Sequence, residues 1–164
     1  MTYEIRAYSF RPAKRTKFVA RIAEKFSLWF VLPLWKNREK TVVENIGYYF
    51  KREMRYDLAP YSAESRSYHN FAYLIAEHQG IHCRDPKANI YHAIGAIGIT
   101  CDDAEPHILE WAWLHPYVRR RGIMKCAWSL LEKRHPEFNL RSPLSNSMEA
   151  FVKGVDPLGK HRLV

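Results

Sequence analysis

Cysteine, glycine and long apolar runs are all scarce in this sequence. Its 164 residues include 3 cysteines and 7 glycines. The cysteines (Cys83, Cys101 and Cys126) have no paired spacing, so they favour reduced thiols over a disulfide framework. No stretch reaches the ~18 apolar residues that cross a bilayer, and the first residues lack the apolar core of a secretion signal. We therefore expect a cytoplasmic protein without a membrane partner.

Acidic residues are outnumbered by basic ones, which gives a formal net charge of +9. Residues 1–60 hold 13 Lys and Arg against 6 Asp and Glu, whereas the rest hold 13 against 11. The excess favours an anionic partner, either nucleic acid, an acidic protein or a phosphate-bearing cofactor. The alternative is a protein that is basic without such a partner. The length suits one domain, 1–164, with a sizeable core.

The apolar pattern predicts a strand, two helices, three strands, a helix, a strand and a helix. The first helix depends on an apolar stripe with helical spacing, ended or bent by Pro33. The stripe consists of Phe18, Ile22, Phe26 and Trp29. The predicted segments are strand 2–10, a helix from about 12 to 33, a helix from about 39 to 54, strands 71–77, 94–100 and 107–114, helix 121–134, strand 138–141 and helix 145–153, which Gly154 ends.

The connections predict a mixed sheet. The turn 102–106 reverses the chain, so strand 107–114 returns antiparallel to strand 94–100. Strand 107–114, its helix and strand 138–141 form a βαβ unit, which needs parallel strands. The fold class is therefore α/β (α+β), with a mostly antiparallel central sheet flanked by helices.

A basic turn joins strand 107–114 to the next helix. It runs from His115 through Pro116 and three arginines, 119–121, to Gly122. The start of a helix leaves backbone N–H groups without intrahelical partners, and the helix dipole adds positive potential there. Such a turn predicts a phosphate or pyrophosphate site. The alternative is a solvated basic turn without a ligand.

This turn resembles the acyl-CoA-binding motif of the GNAT superfamily of N-acetyltransferases. The family pattern Arg/Gln-x-x-Gly-x-Gly/Ala falls on Arg119, Gly122 and Met124, and methionine replaces the small residue. The resemblance covers about 1–154 and is specific over 93–154. It implies a splayed parallel pair, 107–114 and 138–141, and a C-terminus too short for the family's last hairpin. In the family this hairpin forms the C-terminal wall of the substrate site, which a second subunit in a homodimer could complete.

The resemblance also implies the chemistry: acetyl transfer from acetyl-CoA, the co-substrate, by direct attack of an amine in a ternary complex. It places backbone contacts to the pantetheine arm near Trp113 and Leu114. It also implies that the Leu114 N–H stabilises the oxyanion that develops on the thioester carbonyl. The residues it places at the cofactor are Trp113, Leu114, Arg119, Arg120, Arg121, Gly122, Ile123, Met124, Ser145 and Asn146. The last two are alternatively helix caps.

Glu110 is the candidate general base. Strand alternation places it on the face of Leu114, roughly 13 Å away, which leaves room for an amine and a water. The alternative is a Glu paired at the sheet surface. Val152 stands where the family often has a tyrosine acid. A thiolate is a tolerable leaving group, so no acid is required.

Other residues offer weaker hypotheses. His115 is expected to fix the turn rather than to catalyse. His78, His82 and Cys83 lack an evident fourth ligand, so no metal site is predicted. The acceptor is an amine, which an acidic protein or nucleic acid could carry. The alternative functions are a binding protein that keeps the fold without turnover and a basic nucleic-acid-binding module.

Overall fold

The computed structural model describes residues 8–11, 17–23, 25–33, 38–78, 90–103 and 105–164. These residues form one seven-stranded sheet and three α-helices. In chain order the elements are β1 (Tyr8–Phe10), β2 (Lys17–Ala23), β3 (Phe26–Val31), α1 (Arg38–Met54), β4 (Asn70–His78), β5 (Tyr91–Asp102), β6 (Glu105–Leu114), a 3-10 helix (Pro116–Val118), α2 (Ile123–Arg134), β7 (Phe138–Leu140) and α3 (Asn146–Val155).

The sheet is mixed and mostly antiparallel, as the sequence predicts. Its main path is β2-β3-β4-β5-β6-β7, and β6 and β7 form its parallel pair. β1 pairs with residues 91–93 of β5, on the edge that β6 occupies from Gly95 onward. Both the fold class and the parallel pair are therefore confirmed.

The predicted first helix is wrong wherever the structure describes it. Residues 17–23 and 26–31 are the strands β2 and β3, which pair antiparallel. β3 is buried on both faces, because Phe26 belongs to one core cluster and Trp29 to the other. A strand buried on both faces has a nearly continuous apolar run, which hides its period of two. Phe18, expected on a buried stripe, is 55% exposed.

The other predicted elements are confirmed, with shifted ends. The second predicted helix is α1, and its stripe residues Val42 and Ile46 are buried. Gly154 does not end the last helix, which continues to Val155. Strand 2–10 is confirmed at Tyr8–Phe10. Residues 2–7 and the segment 80–89, expected to be irregular, lie outside the described residues.

Two core clusters lie on the two faces of the sheet. Ile123 and Trp128 of α2 belong to one cluster, and Phe151 of α3 packs against it. α1 covers the other face, where Trp111 is also buried. A Cβ at Gly98 would lie 2.0 Å from Trp111 Nε1, so only glycine lets the indole cross β5 at this point. No helix in the described ranges combines the length and apolar content of a membrane span.

The last residues, 156–164, return to the sheet beside β7. Leu163 forms a parallel bridge with Leu140. The His161 ring stacks on Phe138 with centroids 3.9 Å apart, and its Nε2 lies 3.0 Å from Glu132 Oε1. The tail thus pairs with β7 through the bridge at Leu163.

Candidate active site

β6 separates from β7 at a bulge centred on Glu110. The parallel register runs from His107–Phe138 to Leu109–Leu140, and the Arg141 N–H then donates to Leu109 O at 3.0 Å. In the pairing with β5, Leu109 faces Ile99 and Trp111 faces Gly98, so Glu110 is the extra residue. An extra residue bends its strand. The bend coincides with the point where the two parallel strands part.

The gap between the two strands contains a cavity of about 220 Å³. Side chains from both faces of the sheet line it, since Phe50 and Met54 come from α1 and Met148 comes from α3. Its other lining residues are Tyr56, Leu109, Glu110, Trp111, Ala112, Arg141, Ser142, Pro143, Leu144 and Ser145. The strand separation that the sequence predicts is therefore present as an open cleft.

Glu110 lines this cleft and forms a bidentate ion pair with Arg141. Arg141 Nε donates to Oε2 at 2.9 Å and Nη2 donates to Oε1 at 2.8 Å. The Glu110 side chain keeps 24% of its surface exposed. Hydrogen bonding to Glu110 raises the pKa of the Arg141 guanidinium. The ion pair was the alternative expected for Glu110, and here it stands inside the cleft.

The end of β6 presents backbone groups to the gap. The His115 N–H donates to Ile94 O at 2.7 Å, and the N–H groups of an antiparallel strand alternate in direction. The Leu114 N–H therefore points away from β5, towards the side where β7 has departed. Trp113 faces α1, stacks on Tyr49 with centroids 5.5 Å apart and is buried. Of these two residues, Leu114 is therefore the one whose backbone N–H is turned to this side.

The Arg119 side chain forms hydrogen bonds to two other segments of the chain. Its Nε donates to Leu114 O at 2.8 Å, and its Nη1 donates to Glu53 Oε1 at 2.8 Å. The guanidinium also lies 5.7 Å from the Trp113 ring centroid. Hydrogen bonding from Arg119 lowers the pKa of Glu53, although desolvation acts in the opposite direction. The Arg119 guanidinium thus ties the turn to α1 and to the end of β6.

The start of α2 has no side-chain cap. Gly122 is the N-cap residue with φ 75°, and the first helical bond runs from the Cys126 N–H to Gly122 O at 3.1 Å. The N–H groups of residues 122–125 therefore lack intrahelical acceptors. A Cβ at Gly122 would meet nothing within 4 Å. The residues present fit an anion, because N–H groups without intrahelical acceptors stand at the positive end of a helix that has no side-chain cap.

The remaining turn residues surround this helix start. Arg120, with φ 61°, and Arg121 are exposed, and the Arg121 guanidinium lies 5.5 Å from the Phe26 ring centroid. Ile123 is buried, and the half-buried Met124 packs against the same core cluster. Met124 therefore leaves the space in front of Gly122 open.

The other predicted residues have identifiable structural roles. Ser145 caps α3, because its Oγ accepts from the Met148 N–H at 3.2 Å, and it also lines the cleft. Asn146 is the exposed first residue of that helix. His115 Nδ1 accepts from the Tyr117 N–H at 3.3 Å, which fixes the turn as expected. Val152 packs against the core cluster below α2.

Candidate metal ligands divide between described and undescribed parts of the chain. His82 and Cys83 lie outside the described residues, so the expectation that they form no metal site with His78 is not tested. Among the described residues, no group of three or more His, Cys, Asp and Glu side chains could hold a metal ion.

Sequence reasoning missed Arg141 and Glu53. Both form bidentate pairs with predicted site residues that are 31 and 66 positions away in the chain, respectively. Spacing along one strand or helix carries no signal for such pairs. A weak signal exists for Arg141 alone, because it is the last residue of the predicted strand, 138–141, that runs parallel to 107–114.

The fold matches solved acetyltransferase domains. The xEco2 acetyltransferase domain gives a TM-score of 0.65 at 9% identity, over 93% of this chain and 98% of that chain. The same domain bound to a K105-CoA conjugate gives 0.67 at 10% identity, over 92% and 98%. Because the identities are low, these likenesses establish the fold alone. The chain has the GNAT-like fold that its turn motif indicates.

The sequence comparisons add no closer relative. No family model matches the chain, and no curated protein matches it significantly.

Proposed function

We propose that the chain is an N-acetyltransferase that moves an acetyl group from acetyl-CoA to an amine by direct attack in a ternary complex. The observation that carries the proposal is the separation of β6 from β7 at Glu110, next to a helix start with bare N–H groups. The fold it shares with acetyltransferase domains supports the same activity.

In this proposal the N-terminal end of α2 binds the diphosphate of acetyl-CoA. The N–H groups of Gly122, Ile123 and Met124 supply hydrogen bonds, and the exposed Arg120 and Arg121 supply charge. The pantetheine arm lies along β6 at Trp113 and Leu114, where a ligand can accept from the Leu114 N–H that points away from β5. It ends near α3, where Ser145 borders the cleft and Asn146 is the next residue.

Glu110 is the proposed base. It accepts a proton from the acceptor ammonium, directly or through a water, and the neutral nitrogen attacks the thioester carbonyl carbon. The Leu114 N–H stabilises the developing oxyanion. A C–N bond forms, the C–S bond breaks, and the thiolate of CoA leaves with the electron pair. Arg141 orients the Glu110 carboxylate through its two hydrogen bonds.

One observation favours a second candidate, a binding protein that keeps the fold without turnover. Glu110 and Arg119 are both engaged in bidentate ion pairs, with Arg141 and Glu53. If these pairs persisted with ligand bound, Glu110 would be hindered as a base. The two candidates share cofactor binding and differ in acetyl transfer.

The test combines acetyl-CoA binding and transfer. Acetyl-CoA at about 100 times its Kd stabilises the folded state by about 2.7 kcal/mol, which raises Tm measurably. Thiol release with a panel of amines then reports transfer. A Tm shift with transfer supports the enzyme, and a Tm shift without transfer supports the binding protein. The absence of a Tm shift at millimolar acetyl-CoA would contradict both, and steeply salt-dependent RNA or DNA binding would then favour the nucleic-acid-binding module.

A further inference from the structure

Arg141 lines the cleft and has an unused edge. Glu110 occupies the edge formed by Nε and Nη2. A guanidinium carries five N–H donors, so Nη1 and the second hydrogen of Nη2 form another edge. In the part of the chain that the structure describes, Nη1 has no hydrogen-bond partner, and 46% of the Arg141 side chain is exposed. This edge matches a second carboxylate in bidentate geometry.

The backbone holds Arg141 in place. Its N–H donates to Leu109 O at 3.0 Å, and the next N–H, of Ser142, donates to Val164 O at 2.8 Å. The pair with Glu110 fixes the side chain in turn. A guanidinium held in this way loses little conformational entropy when a ligand binds.

The walls of the cleft are apolar. Half-buried side chains from three segments line it: Phe50 and Met54 of α1, Leu144, and Met148 of α3. The volume of about 220 Å³ is below the ~300–1,000 Å³ typical of sites for drug-sized ligands. It suits a small apolar group next to one ionic anchor.

We propose that Arg141 binds a carboxylate of the acceptor, so the acceptor class is a small amine with a carboxylate next to the amino group and an apolar body. This inference rests on the proposed function. Such a zwitterion lies head to tail against the Glu110–Arg141 pair, with its ammonium at Glu110 and its carboxylate at the free edge of Arg141.

The reaction is balanced without a further reactant. The amino nitrogen forms a bond to the acetyl carbon, the thioester C–S bond breaks, and the thiolate leaves with the electron pair. The ammonium loses two protons, the first before attack and the second as the amide forms. One of them neutralises the thiolate and the other passes to solvent through Glu110. The net charge of the chain, +9, favours an amine that carries a carboxylate over an amine that lacks one.

The test compares leucine with leucinamide as acceptors, with acetyl-CoA and thiol release as the readout. The two share the apolar body and the amino group, and only leucine carries the carboxylate. We expect kcat/KM to be at least about tenfold higher for leucine, with most of the difference in KM. The ammonium group of leucinamide loses its proton more easily than that of leucine. A preference for leucine therefore cannot come from a larger share of neutral amine.

Arg141→Gln identifies the residue that reads the carboxylate. The ratio of kcat/KM for leucine to that for leucinamide should fall by about tenfold in this variant. The ratio is the decisive quantity, because any effect on Glu110 changes both acceptors alike. Arg162→Gln is the matched control: it removes an exposed arginine from the neighbouring tail and should leave the ratio unchanged. Circular dichroism confirms that each variant is folded.

The outcomes separate this inference from the proposed function. An acetyl-CoA Tm shift with equal transfer to both acceptors, or with none to either, overturns the acceptor class and leaves cofactor binding intact. A leucine preference that survives Arg141→Gln overturns the role of Arg141. The absence of an acetyl-CoA Tm shift overturns the proposed function and this inference with it. A leucine preference lost in Arg141→Gln alone supports it.

Discussion

Arg119 forms a bidentate ion pair with Glu53, in which Nη1 donates to Oε1 at 2.8 Å and Nη2 donates to Oε2 at 2.6 Å. Glu53 lies near the end of α1 and also accepts from Trp113 Nε1 at 2.8 Å. Arg119 follows the 3-10 helix and binds Leu114 O as well. Three segments that border the candidate site therefore meet in one cluster.

Glu53→Gln should destabilise the fold modestly. The hydrogen bonds from Arg119 lower the pKa of Glu53 below its ordinary 4.5. A lowered folded-state pKa adds stability above the unfolded value, and that stability is lost as pH falls through the folded pKa. Each side chain is 37% exposed, so the loss at neutral pH should be at most about 1 kcal/mol. Urea unfolding at neutral pH and at about pH 3 measures it.

The control for this variant is Glu64→Gln, at an exposed position. It should change the free energy of unfolding by less than about 0.5 kcal/mol. Equal losses in the two variants, or a Glu53→Gln loss that persists at acid pH, would contradict the role given to the pair with Arg119.

Gly122→Ala should weaken acetyl-CoA binding. Both Gly122 (φ 75°) and Gly159 (φ 64°) have positive φ, and a Cβ at either would meet nothing within 4 Å. Alanine at either position should therefore cost about 1–2 kcal/mol of stability from backbone strain alone. Only at Gly122 does the added methyl group occupy the space in front of the bare N–H groups. Calorimetric titration with acetyl-CoA should show a loss of affinity in Gly122→Ala and none in Gly159→Ala.

Glu110→Gln should lower acetyl transfer at least about 100-fold, because the amide cannot accept the ammonium proton. Acetyl-CoA affinity should stay unchanged, since Glu110 lies in the cleft and not at the start of α2. Steady-state kinetics and calorimetric titration measure the two effects. Glu149→Gln, on the exposed side of α3, is the matched control. Transfer at the wild-type rate in Glu110→Gln would show that another group is the base.

His135 should make the fold sensitive to mild acid. Its Nε2 lies 2.8 Å from the Tyr73 hydroxyl oxygen, and it is 9% exposed. Desolvation, with smaller effects from His107 and Arg134, lowers the pKa of His135 to about 4. The unfolded chain, with a pKa near 6.5, then binds the proton first, so stability is complete above pH 6.5 and falls as pH drops towards 4. The total loss is about 3 kcal/mol.

His135→Gln should flatten this part of the stability profile, because glutamine does not titrate. Urea midpoints measured between about pH 4 and pH 7 give the slope. His78→Gln, at an exposed position, should keep the wild-type slope. A slope that is the same in all three proteins would show that His135 is not the titrating group.

The sequence predicts most of this fold because most of its signals are local. α1 shows helical spacing, β4 to β6 are short apolar runs bounded by turns, and the basic turn marks the start of α2. The failure at β2 and β3 has a physical cause. The sheet buries β3 on both faces, so its run is apolar at every position except Ser27 and fits a helix as well as a strand. Its aromatic residues and short length are the signals that favour a strand.

The candidate site was predictable where backbone geometry decides it. The helix start at Gly122 and the cap at Ser145 follow from local residue types, and both are present. The partners of Glu110 and Arg119 were not predictable, since Arg141 and Glu53 reach them only through the folded sheet. The bulge that makes Glu110 the extra residue of β6 also depends on its pairing with β5.

The tail beside β7 closes a row of hydrogen-bonding groups that would otherwise be free. The Leu140 N–H donates to Arg162 O at 2.7 Å, and Leu140 O accepts from the Val164 N–H at 2.9 Å. An unpaired strand edge is a template for another chain and promotes aggregation. Because residues 162–164 pair with β7, a strand of another chain can add to β7 there only after these residues have separated from it. Self-association by strand addition to β7 is therefore disfavoured.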